Sequence, residues 1–181
     1  MLTFEALSTV TPAPAVPVDE ISLPPGLQLP VRLARAIDSE RATVGDAISA
    51  IVESRVQQKG AIVIPKDAVL RGRIRRFDRG SMPTDHFIVG LEFTDLEFPG
   101  HHARFLGDME SVDPLPDLQW LLSTSRTKTR DFGVLGDMTT SETEVYRTIP
   151  IPGVGIFYMQ AAKFRLPEGM RMTWRTVSVA K

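Results

Sequence analysis

The chain has 181 residues, of which 43% are hydrophobic, which predicts one domain with a sizeable core. Its formal net charge of -1 argues against bulk electrostatic attraction to nucleic acid or anionic membranes, and the absence of cysteine excludes disulfides and thiolate chemistry. No apolar run approaches about 18 residues, so no membrane-spanning helix is predicted. No signal peptide is predicted either, because the first residues lack a basic segment followed by an apolar one.

Residues 1–22 are predicted to be a poorly ordered, proline-rich tether. Pro12, Pro14 and Pro17 lie close together in the stretch TPAPAVPVDE. Proline lacks the N–H that a β-ladder requires and favours an extended, semi-rigid chain. The remaining residues, 23–181, are predicted to form a single β domain.

A turn-and-strand pattern then recurs along the chain. It reads LPPGLQLPVR at 23–32 and LPEGMRMTWR at 166–175, with a variant, IPKDAVLRGR, at 64–73. Proline suits the second position of a type I or II turn, and Gly26 and Gly169 tolerate positive φ. Each copy therefore predicts a tight turn that begins a strand, although Pro-Gly turns before strands are common and the recurrence could be coincidental.

Alternation after each turn predicts which strand face is buried. Leu29 and Met172 lie on the apolar parity, whereas Arg32 and Arg171 lie on the opposite one, where charge stays in water. We expect both strands in one sheet or barrel, with a firmly fixed register, since a one-residue slip would exchange the two faces. Pro30 suggests an edge position or a bulge in the first strand.

Strand patterns continue between the two copies. DAISAIVES, at 46–54, is short and flanked by turns, which favours a strand over a helix. HFIVGLEFTDLEF, at 86–98, predicts a long strand with one buried face, and HHARFLG, at 101–107, is its expected return strand. With no convincing long helix, we predict a mainly-β fold, a small β-barrel or sandwich.

Residues 107–148 are predicted to be a long, polar, loop-rich insertion in this domain. The segment lacks sustained periodicity, and one short helix is expected between Leu115 and Leu122. Loops of this length in a compact domain are usually functional or mobile. Strand character returns after the segment in VGIFYMQAAKF, at 154–164.

Three segments, in matching order and spacing, carry a family pattern. LPPGLQLPVRLARAIDS combines a Pro-x-Gly turn, an alternating strand and Ile-x-Ser; IVIPKDAVLRGRIRRFD and LEFTDLEFPG follow. Together they resemble the TrbI family of conjugal-transfer proteins, the core-complex scaffolds of type IV secretion. The matching residues are Pro24, Gly26, Leu33, Ile37, Ser39, Ile64, Pro65, Leu70, Gly72, Phe93, Thr94, Leu96, Phe98, Pro99 and Gly100.

The resemblance covers residues 23–106 and departs from the family pattern in several places. Asp67 replaces the glycine of the second turn, the family's membrane helix and longer N-terminal region are not present, and no similarity is recognisable after residue 106. The matched residues are turn-formers and strand apolars. The resemblance therefore implies a β-barrel domain of the periplasm or cell envelope, with an envelope protein or a second copy as partner, more than it implies secretion itself.

No metal, cofactor or catalytic site is predicted. The three histidines are His86, His101 and His102; the last two are adjacent, so on a strand they would face opposite sides, and they follow Pro99-Gly100, so they are interpreted as solvated turn histidines rather than metal ligands. The sequence has no Gly-x-Ser-x-Gly motif and no phosphate-binding glycine loop. The alternative is a hydrolase or small-ligand-binding enzyme whose site lies under the 107–148 insertion.

Two basic clusters are candidates for binding a polyanion or a partner. In RGRIRRFDR the first three arginines share one strand face, and RTKTR repeats the spacing. Side by side they would form a positive patch; alternatively, they are a solvated face with cross-strand partners such as Glu92. Few aromatic residues lie between them, so nucleic acid is not the expected partner. The six residues are Arg71, Arg73, Arg75, Arg126, Lys128 and Arg130.

The leading hypothesis from the sequence is a non-enzymatic β-barrel module that works by binding or assembly at the bacterial envelope. It rests on the turn–strand repeats, on the family resemblance, and on the lack of a convergent catalytic set in the sequence.

Overall fold

The computed structural model describes residues 19–81, 84–114, 118–121 and 151–178. These residues form strands and no helix, so none of them belongs to a helix that could cross a membrane, and the predicted mainly-β fold is confirmed. The strands are β1 (Asp19–Ile21), β2 (Gln28–Leu33), β3 (Ile37–Asp38), β4 (Ala47–Val52), β5 (Val56–Gln58), β6 (Ala61–Ile64), β7 (Val69–Gly80), β8 (His86–Phe98), β9 (His101–Arg104), β10 (Gly107–Val112), β11 (Leu118–Leu121), β12 (Val154–Met159), β13 (Arg165–Leu166) and β14 (Arg171–Thr176).

The main sheet has ten strands, seven of which curl into a half-barrel. Its backbone path runs β1-β9-β8-β7-β4-β2-β14-β10, with β12 paired to the first half of β8 and β11 paired to β12. All of these pairs are antiparallel except β1 with β9. Two short two-stranded sheets, β3 with β13 and β5 with β6, lie off this path.

The three recurring turns share a positive φ and the same backbone hydrogen bond. Gly26, Asp67 and Gly169 have positive φ values of 90°, 65° and 80°. Each donates its backbone N–H to the carbonyl oxygen of the last residue of the neighbouring antiparallel strand. The acceptors are Thr176 at 2.7 Å, Val52 at 2.9 Å and Leu33 at 2.8 Å, respectively. The device therefore starts a strand against the end of its partner. Asp67 fills the glycine position because Asp is one of the few side chains that tolerate this conformation.

The predicted pairing of the first and last copies is confirmed. Strands β2 and β14 are hydrogen-bonded neighbours, with Leu29 opposite Trp174 and Val31 opposite Met172. All four of these side chains are buried. The opposite parity carries Arg32 and Arg171, which lie across from each other on the outer face, as the charge argument required.

The expectation for Pro30 was wrong, because β2 is an interior strand between β14 and β4. The β2–β4 register runs from Leu33 opposite Ala50 to Val31 opposite Val52. Glu53 then donates its N–H to the Pro30 carbonyl at 2.9 Å. Proline has no N–H to return the bond, so it is accommodated where this ladder ends.

Other predicted strands are confirmed, and the segment after residue 106 differs from its prediction. DAISAIVES contains β4, HFIVGLEFTDLEF is β8, and HHARFLG contains β9. In the 107–148 insertion, β10 completes one side of the main sheet, and the helix expected between Leu115 and Leu122 is wrong, since residues 118–121 form β11. Residues 19–21, inside the predicted tether, form β1.

The concave side of the sheet is filled by large side chains. Phe93 packs edge-on against Trp174, with ring centroids 5.1 Å apart, and Phe105 lies on the other flank of the same indole at 6.4 Å. A Cβ at Gly155 would lie 3.0 Å from both the Met109 sulfur and the Trp174 ring, so β12 approaches β10 and β14 across this core. The half-barrel therefore encloses a packed core.

Candidate interaction surface

The arginine stripe predicted from RGRIRRFDR lies on the outer face of β7. The side chains of Arg71, Arg73 and Arg75 are 59%, 52% and 49% exposed, while Leu70 and Ile74 point into the core. This alternation follows from the two-residue period of the strand. The structure therefore places these three arginines on one surface, as the sequence predicted.

Acidic residues on β8 contact every arginine of this stripe. Arg71 lies 2.6 Å from Glu97, and Arg73 lies 2.7 Å from Glu92, which is also 4.0 Å from Arg75. Such cross-strand pairs follow from the β7–β8 register, which sets Arg73 opposite Glu92. A polyanion would have to compete with these carboxylates, so the stripe is charge-compensated rather than a free row of cations.

The second basic cluster, Arg126, Lys128 and Arg130, lies outside the described residues. A patch that joins the two clusters therefore remains a prediction. The described outer face repeats the compensated pattern on β14, where Arg171 lies 3.1 Å from Glu53 and Arg175 contacts Glu110.

A different feature of β7 stands out as a candidate interaction site: half of this strand has a neighbour on one side only. Strand β4 pairs with β7 from Val69 to Arg73, and the last backbone bonds join Ile74 to Gly45 and Asp46 at 2.8 and 2.9 Å. From there to its end, β7 is bonded to β8 alone. Within the described part of the chain, no backbone group pairs with residues 75–80 on the side away from β8. We call residues 75–80 the β7 edge.

The β7 edge is held firmly by packing on its concave face. Phe77 contacts Phe87 and Phe164, with ring centroids 5.9 and 6.0 Å apart. The Arg79 guanidinium lies over the Phe87 ring, 5.6 Å from its centroid. On the opposite face Gly80 lies directly under the imidazole of His86, which leaves no room for a side chain. The edge is therefore an ordered strand.

Sequence reasoning missed this edge, because nothing local marks where a neighbouring strand stops. One signal was present: the patterns for β7 and β8 extend for 12 and 13 residues, whereas β4 has six. Strands of unequal length in one sheet must leave part of the longer strand unpaired or paired elsewhere.

His101 is exposed and the His102 side chain is 34% exposed on β9, after the Pro99-Gly100 turn, so both reach solvent as predicted. His86 is buried, with its ring centroid 5.5 Å from that of Tyr158 and Nδ1 3.0 Å from the Thr84 carbonyl oxygen. His102 Nε2 lies 3.0 Å from Asp95 Oδ1, and Thr94 donates its hydroxyl proton to the same carboxylate at 2.6 Å. Thr94 and His102 both contact Asp95, and no hydrogen bond between these described residues joins the Thr94 hydroxyl to the imidazole.

A groove of about 820 Å³ lies between the β1–β2 connection and the chain after β14. Its lining is largely apolar and includes Leu23, Phe105, Leu106 and Val177, with neither aspartate nor histidine. It therefore does not match the pocket expected for an enzyme. The predicted enzyme site lies under the 107–148 insertion, and residues 115–117 and 122–148 of it lie outside the described residues, so that prediction stays untested.

No protein-family profile matches the chain, and no curated protein matches it by sequence. Among solved structures, the chain is similar to ComB10 of the Com type IV secretion system of Helicobacter pylori, with 14% identity and a TM-score of 0.43. The match covers 85% of this chain and 86% of that one. The chain thus has a structural resemblance to this type IV secretion component.

Proposed function

We propose that the protein is a non-enzymatic β-barrel module that works by binding or assembly at the bacterial cell envelope. The observation that carries the proposal is the filled core. Trp174, Phe93 and Phe157 are fully buried beneath the curled sheet, and Gly155 is in contact with the core. A small barrel filled by its own side chains has no lumen for a ligand, so its outer face and strand edges remain for function.

The envelope location and the type of partner are supported by the resemblance of residues 23–106 to the TrbI family. The segments that carry it are the turns and strands that build β2, β7 and β8. Those are structural positions, which fits a scaffold better than a catalyst. An envelope protein or a second copy of the chain is the partner that this reading requires.

The proposal is tested by crosslinking in cells that produce the full chain, followed by fractionation, and by light scattering on the purified chain. We expect either a defined oligomer or a reproducible adduct with an envelope protein. A strict monomer that forms no adduct in the envelope fraction would contradict the proposal.

A further inference from the structure

We propose that the β7 edge is the docking site for an extended, acidic segment of a partner protein, which adds to the sheet as a strand beside β7. The inference rests on the proposed binding function and deepens it, since it names the surface that binds and the chemistry of the partner. Three observations carry it: the unpaired backbone, the rigid support and the charge of the edge.

Among the residues that the structure describes, none fills the backbone hydrogen-bond ladder on the open side of the β7 edge. Strand β7 continues for six residues beyond Ile74, where its last backbone bonds to the β4 segment lie. Alternate residues of an antiparallel strand direct N–H and C=O groups away from the existing partner, and such a row is a template for another strand. Six residues match an ordinary strand of about 20 Å, so a short peptide would satisfy the row.

The edge is preorganised to receive a strand. Phe77 is partly buried in the hydrophobic core and contacts the rings of Phe87 and Phe164. Arg76 and Asp78 form an ion pair along the outer face of the same strand. Because the strand conformation is already fixed by these contacts, a partner would not have to order it, which lowers the entropic cost of binding.

The charge of the edge selects the chemistry of the partner. It carries three arginines, Arg75, Arg76 and Arg79, and a single carboxylate, Asp78, which Arg76 already contacts. Arg75 has only a distant contact, at 4.0 Å, with Glu92, whose closer partner is Arg73 at 2.7 Å. Among the described residues Arg79 has no carboxylate partner and stacks on Phe87. Carboxylates on an incoming strand would complement Arg75 and Arg79.

A second copy of the chain fits the same edge poorly. Each edge carries three arginines and one aspartate, so pairing two such edges would bring two segments of net positive charge side by side, which is destabilising. The register shift between Ile74 and Arg76 adds a bulge where the edge begins. Bulges and edge charges hinder self-association, whereas an acidic strand converts the same charges into attraction.

The test uses the full chain and three synthetic peptides of about eight residues, a usual strand length. One carries glutamates of both parities among valine and threonine, so that carboxylates reach both faces of the sheet. The second has glutamine for each glutamate, and the third is the acidic peptide N-methylated at alternate residues. We measure binding by fluorescence anisotropy and backbone protection by hydrogen–deuterium exchange. The proposal expects the acidic peptide to bind best and to slow exchange of amides within residues 75–80, and expects methylation to abolish both effects.

Two matched variants of the same strand locate the site. Arg75→Gln with Arg79→Gln removes two charges from the unpaired edge, and Arg71→Gln with Arg73→Gln removes two charges from the part covered by β4. The edge variant should weaken binding of the acidic peptide about tenfold, as expected for loss of two exposed ion pairs. The covered variant should change it by less than about threefold.

Each other outcome overturns the docking proposal. One is that the acidic peptide does not bind, another is that it binds without protecting amides 75–80, and a third is that the two variants lose equal affinity for it. Protection of the edge that grows with protein concentration alone, without peptide, would assign the edge to a second copy of the chain. If the envelope adducts expected above persist unchanged in the edge variant, the docking site is wrong but the binding function stands. Absence of adducts in both chains would remove the function itself.

Discussion

Gly169 shows how one residue fixes the start of a strand. Its φ of 80° lies in the region that side chains avoid, although a Cβ there would meet no atom within 4 Å. Any cost of substitution is therefore conformational rather than steric. The same holds for Gly26, with φ at 90° and equally open surroundings.

Replacing Gly169 with valine should lower the free energy of unfolding by about 1–3 kcal/mol, because a β-branched residue is strained at positive φ. The control is Arg171→Gln on the strand that follows, where the side chain is 66% exposed and its pairing with Glu53 is a surface contact. That change should cost less than about 0.5 kcal/mol. Thermal melts compare the two, and a more damaging arginine change would reverse the assigned faces of β14.

Gly72 carries a different constraint, one of space. It follows the register shift after Arg71, and a Cβ at this position would overlap the backbone carbonyl of Glu92 on β8. We expect Gly72→Ala to destabilise the fold by about 1–3 kcal/mol, because the backbone must move to admit the methyl group. Ser49→Ala, on the neighbouring β4, should stay within about 0.5 kcal/mol. If Gly72→Ala and Ser49→Ala had equal midpoints in urea unfolding, the backbone at Gly72 would accommodate a methyl group, and the prediction would be wrong.

At the scale of elements, β2 tests the register. Leu29 is fully buried opposite Trp174, whereas Gln28 lies on the outer face and donates its side-chain N–H to Glu110 at 2.8 Å. Leu29→Ala should cost about 2–5 kcal/mol, through lost burial and the cavity left behind. Gln28→Ala should cost less than about 0.5 kcal/mol. Comparable losses in chemical denaturation would contradict the fixed alternation of β2.

What the sequence predicted among the elements depended on local signals. Alternation and Pro-Gly turns predicted β2, β8 and β14 and their buried faces, because a strand's side-chain period is visible within the strand. Strand β11 was missed because four residues have no reliable period; it is a strand through its pairing with β12. The interior position of Pro30 and the β7 edge were missed for another reason: both depend on where β4 begins and ends, and no local pattern marks those points.

On the candidate surface, too, the features set by local sequence were predictable and those set by contacts between distant strands were not. The outward direction of Arg71, Arg73 and Arg75 was predictable from parity, and Glu92 was predicted as a cross-strand partner, which the 2.7 Å contact with Arg73 confirms. The buried position of His86 was not predictable. It depends on Gly80 and Tyr158 meeting the imidazole from β7 and β12, two strands that are far apart in sequence.

At the scale of the whole molecule, the fold places its charged side chains on the outer face and its large apolar side chains on the concave side. The concave side is packed around Trp174, and the described outer face carries compensated ion pairs. A module of this kind acts through contacts between molecules, so changes to its outward residues should alter assembly more than folding. Arg75→Gln with Arg79→Gln should therefore change the free energy of unfolding little, by no more than about 0.5 kcal/mol per site in thermal melts.

Photo-crosslinking in intact cells tests the central claim most directly. A photoreactive residue is placed at outward positions of the described surface, such as Ser49, Asp78 and Thr173, and at the buried position Leu29 as the control. The account predicts intermolecular adducts in the envelope fraction from one or more outward positions and none from the buried one. A chain that forms no intermolecular adduct from any outward position, while remaining folded, would contradict the claim that it works by binding or assembly.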